Sequence, residues 1–213
     1  MIRAKKSLGQ NFLIDREVLE KITNVVQIKD KTILEVGPGT GNLTSFILKK
    51  NPKQMFVIEK DDDLAINLGE TFKDQLTIIN DDILQVDENL IFKNKVTVFG
   101  NLPYNISTEI LSKWITQTKD EFWFNNLILM FQKEVADRII AKFNTSDYGR
   151  LSILSNWKLN VEKICDIKPE SFSPRPKIDS SLLFFSPKKK FYKIKNPKNL
   201  EKVTRIFFNH RRK

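Results

Sequence analysis

An α/β fold, with a mostly parallel sheet covered by helices on both faces, is what this sequence predicts. Three observations lead there. Apolar runs of strand length alternate with stretches of helical spacing, the pattern of βαβ units. The first and fourth runs each close on a glycine, Gly37 and Gly100. The residues able to carry chemistry cluster just after the ends of these runs, where open α/β sheets bind ligands.

The predicted strands fall at residues 32–36, 56–58, 76–79, 96–99 and 127–131. Between them, Leu43, Phe46, Ile47 and Leu48 fit helical spacing, as do Ile106, Ile110, Leu111 and Trp114. Parallel neighbours need such crossovers, and crossovers are right-handed. Pro174 and Pro176 punctuate the next stretch, and residues 178–185 read as a last strand. After Pro187 the composition turns basic and helical. The predicted boundary therefore lies near residue 186, with one domain at 1–185 and a basic segment at 186–213.

Composition narrows the chemistry. Among 213 residues there is one cysteine, Cys165, and one histidine, His210. A disulfide framework, a cysteine metal cluster and every two-histidine metal site are excluded, and no metal is expected. The net charge is +10, and residues 1–185 hold 25 basic and 25 acidic side chains. The whole excess lies in the last 28 residues, where 11 bases face only Glu201. A basic block beside a neutral body points to an acidic polymer, RNA or DNA rather than a membrane. Lys188, Lys189, Lys190, Arg211 and Arg212 are the candidate phosphate contacts, with Arg3, Lys5 and Lys6 as another footprint. The competing reading is a solvated lysine-rich tail. No apolar start and no run approaching about 18 apolar residues is present, so a soluble cytoplasmic protein is expected. A monomer is expected as well.

The first strand runs into Glu35-Val36-Gly37-Pro38-Gly39-Thr40-Gly41 and opens a helix. Glycines there let the backbone turn tightly and approach a ligand. A dinucleotide site wants G-x-G-x-x-G, whereas here the spacing is G-x-G-x-G and Asn42 replaces the third glycine. That favours S-adenosylmethionine, which has a carboxylate and a ribose but no phosphate. A plain strand-to-helix turn is the alternative. Glu59 ends the second strand, 22 residues after Gly37, where a carboxylate can accept both ribose hydroxyls. Asp61, Asp62 and Asp63 read as helix-capping acids. Asp82 ends the third strand and can accept from the cofactor's adenine amine, with Ile83 against the ring. Asp81 competes for that role, and the aspartate pair could instead hold a metal.

Asn101-Leu102-Pro103-Tyr104 closes the fourth strand and is the most specific signal in the chain. It resembles the [Asn/Asp]-Pro-Pro-[Tyr/Phe] motif of methyltransferases that act on exocyclic amines. An adenine amine is a poor nucleophile because its lone pair is delocalised into the ring. Two acceptors for its N–H groups, the Asn101 side-chain oxygen and the Leu102 carbonyl, would localise that pair, with Pro103 fixing the turn. Tyr104 can stack on the base. The other reading is a rigid buried turn with Tyr104 as a core aromatic.

Five segments then stand in order: Ser7 to Leu13, the Gly37–Gly41 turn, Asn101 to Ser107, Phe172 to Ser180, and Phe208 to Lys213. Together they resemble, over nearly the whole chain, the KsgA/Dim family of ribosomal small-subunit RNA adenine N6,N6-dimethyltransferases. The resemblance implies a Rossmann-like class I methyltransferase fold using S-adenosylmethionine. It implies that Asn11 and Leu13 join Gly37, Gly39, Gly41, Glu59, Asp82, Ile83 and Asn101 around the cofactor. Phe172 is then expected on the face of the target adenine opposite Tyr104, although it can also serve as an apolar staple beneath the proline loop. The implied substrate is two adjacent adenines in the 3′-terminal hairpin of small-subunit rRNA, in an immature small ribosomal subunit. Family members continue into a small helical domain, so residues 186–213 are expected to be the beginning of a truncated one. Rival readings are a large-subunit resistance methylase, a non-catalytic nucleic-acid-binding relative and a nicotinamide oxidoreductase.

Overall fold

The computed structural model describes residues 4, 5, 8–118 and 121–209. The chain begins with β1 (Phe12–Leu13) and α1 (Arg16–Thr23), which Asp15 caps by accepting from the Glu17 and Val18 amides. Then follow β2 (Thr32–Val36), α2 (Asn42–Leu48), β3 (Gln54–Ile58), α3 (Asp62–Phe72) and β4 (Thr77–Ile79). After α4 (Glu88–Ile91) come β5 (Val96–Gly100), α5 (Ser107–Gln117), β6 (Phe124–Gln132), α6 (Lys133–Ile140) and α7 (Arg150–Lys158). The chain closes with β7 (Leu159–Ile167), β8 (Phe172–Ser173), β9 (Ser180–Pro187) and α8 (Pro197–Asn209).

Seven strands form one sheet in the order β4-β3-β2-β5-β6-β9-β7. The first five are parallel, and β9 and β7 add antiparallel pairings. The chain adds β3 and β4 on one side of β2 and then crosses to add β5 and β6 on the other, which makes the gap beyond the carboxyl ends of β2 and β5 the topological switch point. Alternation along the strands feeds two cores. Leu34, Val36, Val96 and Val98 pack with Ile110, Trp114 and Ile139 on one face. Ile33, Met55, Val57 and Phe99 pack with Leu19, Ile22, Leu43 and Ile47 on the other. Helices thus cover both faces, as the alternation in the sequence predicts.

Besides helices α1, α6 and α7, two strand features lie outside the sequence reading. Strand β7 is an edge strand with Glu162, Lys163 and Asp166 along it and a register shift between Lys163 and Cys165, so its apolar period is broken. The β1–β8 pair joins Leu13 to Phe172 across the length of the chain, and two-residue strands carry no periodic signal. Helix α8 starts at Pro197, ten residues beyond Pro187, and packs on α7 and α5. The segment before it is held to α7 by the Trp157 Nε1–H bond to the Tyr192 carbonyl (2.6 Å), and α8 itself by the Arg150–Glu201 ion pair (3.0 Å). Among the described residues no helix is long and apolar enough to cross a membrane.

Candidate active site

A cavity of about 270 Å³ opens at the carboxyl ends of β2, β3, β4 and β5. Its walls are the glycine turn after β2, the Glu59 and Asp82 strand ends, the Asn101–Ile106 turn, and residues 8–13 of the N-terminal segment. Asn11, Leu13, Gly37, Gly39, Glu59, Asp82, Ile83, Asn101, Leu102, Pro103 and Tyr104 all lie in this lining, although they come from five separate stretches of sequence.

Gly39 has φ +58°, and a Cβ there would meet the Phe12 ring at 2.7 Å. Its lack of a side chain lets the N-terminal segment close over the turn. Asn42, in place of a third glycine, donates from Nδ2 to the Leu13 carbonyl (2.8 Å) and straps β1 down. Gln10 and Lys5 add a second clasp, both bonding Asp61, the N-cap of α3, at 2.9 and 2.7 Å. Sequence reasoning assigned Asp61 its capping role and missed the clasp; Gln10 sits inside the Ser7–Leu13 segment, the only signal for it.

Glu59 is 7% exposed. Its Oε2 accepts from the Gly39 amide (3.1 Å) and its Oε1 from the Asp61 amide (3.0 Å). Each oxygen keeps a lone pair for a further donor, as two adjacent hydroxyls would provide. Burial pushes this carboxyl above the ordinary glutamate value, against the pull of those amides. Asp82 accepts from the Leu84 amide at Oδ1 (2.9 Å) and from the Lys60 ammonium at Oδ2 (2.8 Å), and Lys60 holds the carboxyl below its usual range. Asp81 is the more exposed neighbour and also lines the cavity. Among the described residues no group of three or more His, Cys, Asp or Glu gathers as a metal site.

Asn101 is oriented. Its Nδ2 donates to the Asn11 carbonyl (2.8 Å), which leaves Oδ1 with no donor among the described residues. The Leu102 carbonyl likewise accepts nothing there, while the next carbonyl, of Pro103, takes the Ile106 and Ser107 amides that start α5. Two adjacent residues of the cavity lining therefore each carry an acceptor without a donor among the described residues. Tyr104 is mostly buried, with its hydroxyl 2.5 Å from Ser180 Oγ on β9, and burial pushes the phenol up. Its ring is thereby tied to the sheet, a link between residues 76 positions apart that only the fold provides.

Three expectations are corrected. Phe172 is 1% exposed and outside the cavity lining; it packs with Leu13, Ile167 and Leu182 in the core, the staple alternative rather than a stacking face. Pairing of β8 with β1 turns its ring inward. Gly41 also lies outside the lining. A Cβ there would sit 2.5 Å from the Phe72 ring, so this glycine serves the packing of α3 on the turn and its φ of +81°. Lys188 is not free to swing as its neighbours are: its Nζ donates to the Asn156 carbonyl near the end of α7, with its charge unneutralised, and its amide donates to the Lys158 carbonyl (2.8 Å). Lys189 and Lys190 are exposed. Arg3, Lys6, Arg211 and Arg212 lie outside the described residues.

Glu35 is buried in the same wall, and its Oε2 accepts from the Thr44 hydroxyl (2.6 Å). Burial pushes its carboxyl up to about 8 from an ordinary 4.5. The folded chain binds that proton more tightly than the unfolded chain. The stabilisation is therefore full below pH 4.5 and lost as pH rises through about 8. Glu35→Gln, neutral at every pH, is expected to flatten this part of the stability profile in denaturant melts. An unchanged slope would clear Glu35 of the effect.

Comparison with known proteins agrees with this geometry. The family description "Ribosomal RNA adenine dimethylase" matches residues 1–213. Ribosomal RNA small subunit methyltransferase A of Pelagibacter ubique is 70% identical over 212 residues, covering all of this chain and 81% of that protein. The protein of the same name from a Wolbachia strain is 42% identical, covering 100% and 79%. Among solved structures, a dimethyladenosine transferase from Plasmodium falciparum superposes with a TM-score of 0.81 at 30% identity, over 95% of this chain and 72% of the other. The 23S rRNA methyltransferase ErmE superposes with a TM-score of 0.72 at 23% identity, over 93% and 79%, a likeness of fold alone. With its switch-point cavity, its class I methyltransferase fold and a family match along its whole length, this chain belongs to the ribosomal RNA adenine dimethylases, S-adenosylmethionine-dependent enzymes.

Proposed function

We propose that the chain methylates N6 of two adjacent adenines in the 3′-terminal hairpin of small-subunit rRNA, on immature small ribosomal subunits in the cytoplasm. The observation that carries this is the Asn101–Leu102 pair of open acceptors, on residues that line the same cavity as Glu59. The small-subunit assignment is favoured by the relatives named for that substrate, 70% and 42% identical.

The donor set fits the cofactor. Glu59 has lone pairs left for ribose hydroxyls, Asp82 and Ile83 offer an acceptor and an apolar flank for adenine, and Asn11 and Leu13 close the cavity. When bound, S-adenosylmethionine supplies an electrophilic methyl group on a sulfonium. Asn101 Oδ1 and the Leu102 carbonyl accept the two N–H groups of the target amine, which draws its lone pair out of the ring. Tyr104, held by Ser180, offers a flat face for the base. No side chain has to act as a general base beforehand, because the methylated nitrogen is acidic and loses its proton to water. Labelled-methyl transfer to small subunits lacking the modification, followed by mapping, tests the reading. Label on large-subunit RNA, or none, overturns it.

Residues 1–185 form the catalytic domain in this reading, and the basic segment 186–213 begins the part that grips RNA. Replacing Lys189 and Lys190 with Gln is expected to flatten the salt dependence of RNA affinity by roughly one and a half log units per log salt. Lys188→Gln should flatten it further, since the Asn156 carbonyl engages one N–H of its ammonium and leaves the charge unneutralised. RNA binding across a salt series checks this; identical slopes would make the segment merely solubilising charge.

A further inference from the structure

We infer that Lys113 and Glu88, a buried ion pair outside the cavity lining, are positioning residues that hold the Asp82–Val86 turn in shape for the adenine end of the cofactor. The Lys113 side chain is 10% exposed and that of Glu88 1%. Lys113 lies on α5 and its ammonium has three acceptors: the Ile83 carbonyl (2.7 Å), the Val86 carbonyl and Glu88 Oε1 (2.9 Å). Its three N–H groups are thereby all used. Glu88 Oε1 is itself fixed by the neighbouring Trp114 Nε1–H (2.6 Å).

The turn these groups hold belongs to no helix or strand. It is closed from within by the Gln85 and Val86 amides on the Asp82 carbonyl (2.8 and 3.2 Å) and the Leu84 amide on Asp82 Oδ1 (2.9 Å). Two of its carbonyls, of Ile83 and Val86, point to Lys113. Its opposite side presents Asp82 and Ile83 to the cavity. A buried ion pair does little for stability compared with an apolar pair of the same volume. What it supplies, and an apolar pair cannot, is donors to two loop carbonyls. Helix α5 starts directly after the Asn101–Ile106 turn, so one helix anchors both the reaction turn and the adenine wall.

This inference rests on the placement of the nucleoside against Asp82 and Ile83, and the test separates the two. Calorimetry compares wild type with Lys113→Met/Glu88→Gln, a neutral replacement of the pair. The probes are S-adenosylhomocysteine, 5′-methylthioadenosine and 5′-methylthioinosine, which lacks the amine. The variant that melts cooperatively is expected to bind both adenine probes about tenfold more weakly, the worth of one hydrogen bond, and the inosine probe almost as wild type does. Unchanged affinity for the adenine probes in a folded variant overturns the inference alone. If wild type fails to bind 5′-methylthioadenosine, the nucleoside placement falls and the inference with it. Should the double variant not fold, amide exchange on ligand-free wild type and Glu88→Gln decides. Exchange at Leu84, Gln85 and Val86 is expected to be faster in the variant, and equal exchange in the two overturns the inference.

Discussion

Asn101→Ala is expected to lower the single-turnover rate of methyl transfer on the order of a hundredfold, the scale seen when one preorganised transition-state contact is removed. The side chain has two jobs that the structure separates atom by atom. Nδ2 is committed to the Asn11 carbonyl, 2.8 Å away, and this fixes where Oδ1 points. Oδ1 is the free acceptor. A bond from the target amine to it strengthens as the nitrogen loses conjugation, so its removal acts on the rate more than on binding. RNA affinity should change little. Cofactor affinity should fall modestly, because the Asn11 carbonyl loses its donor and the N-terminal segment loses one tie to the reaction turn. Full activity in single turnover would sink the proposed role.

Glu59→Ala is expected to weaken S-adenosylhomocysteine binding by about 1.5–3 kcal/mol, the range for hydrogen bonds to a charged group. The loss combines two effects. The ribose acceptors go, and the amides of Gly39 and Asp61 lose the oxygens that hold the glycine turn against α3. Glu59→Gln keeps the shape and one acceptor and should lose less. The pH dependence carries a definite sign. Burial raises the Glu59 carboxyl above its ordinary 4.5, and the ionised form is the acceptor of two hydroxyls. Cofactor affinity in wild type should therefore decline as pH falls through that raised value, and the Ala variant should show no such decline. Calorimetry over pH reads both; equal affinity of wild type and Ala variant removes Glu59 from the site.

Much of this site is legible residue by residue because its signals are local. A strand that ends in Gly37-Pro38-Gly39 declares a turn from its own dihedral needs, and a carboxylate at the end of each next strand falls on the same edge once the strands are parallel. Asn101-Leu102-Pro103-Tyr104 likewise states its chemistry within four residues. Eleven of the residues expected at the catalytic and cofactor sites do line one cavity. The order of charges along the sequence likewise confines the excess positive charge to residues 186–213.

What the tertiary structure decided is where long-range partners redirect a side chain. Phe172 looks available in sequence, yet its pairing with Leu13, far away in the chain, turns the ring into the core. Lys188 looks like its two neighbours until α7 brings the Asn156 carbonyl to it. Asn42 reads as a missing glycine and proves to be the strap on β1. Lys113 and Glu88, 25 residues apart and without any signal in the sequence, meet only because α5 lies behind the Asp82–Val86 turn. Sequence determines the dihedral preferences and the chemistry each segment can offer. Which acceptor a donor finds, and so which groups are left open for a ligand, depends on contacts between segments whose separation along the chain leaves no periodic or local trace.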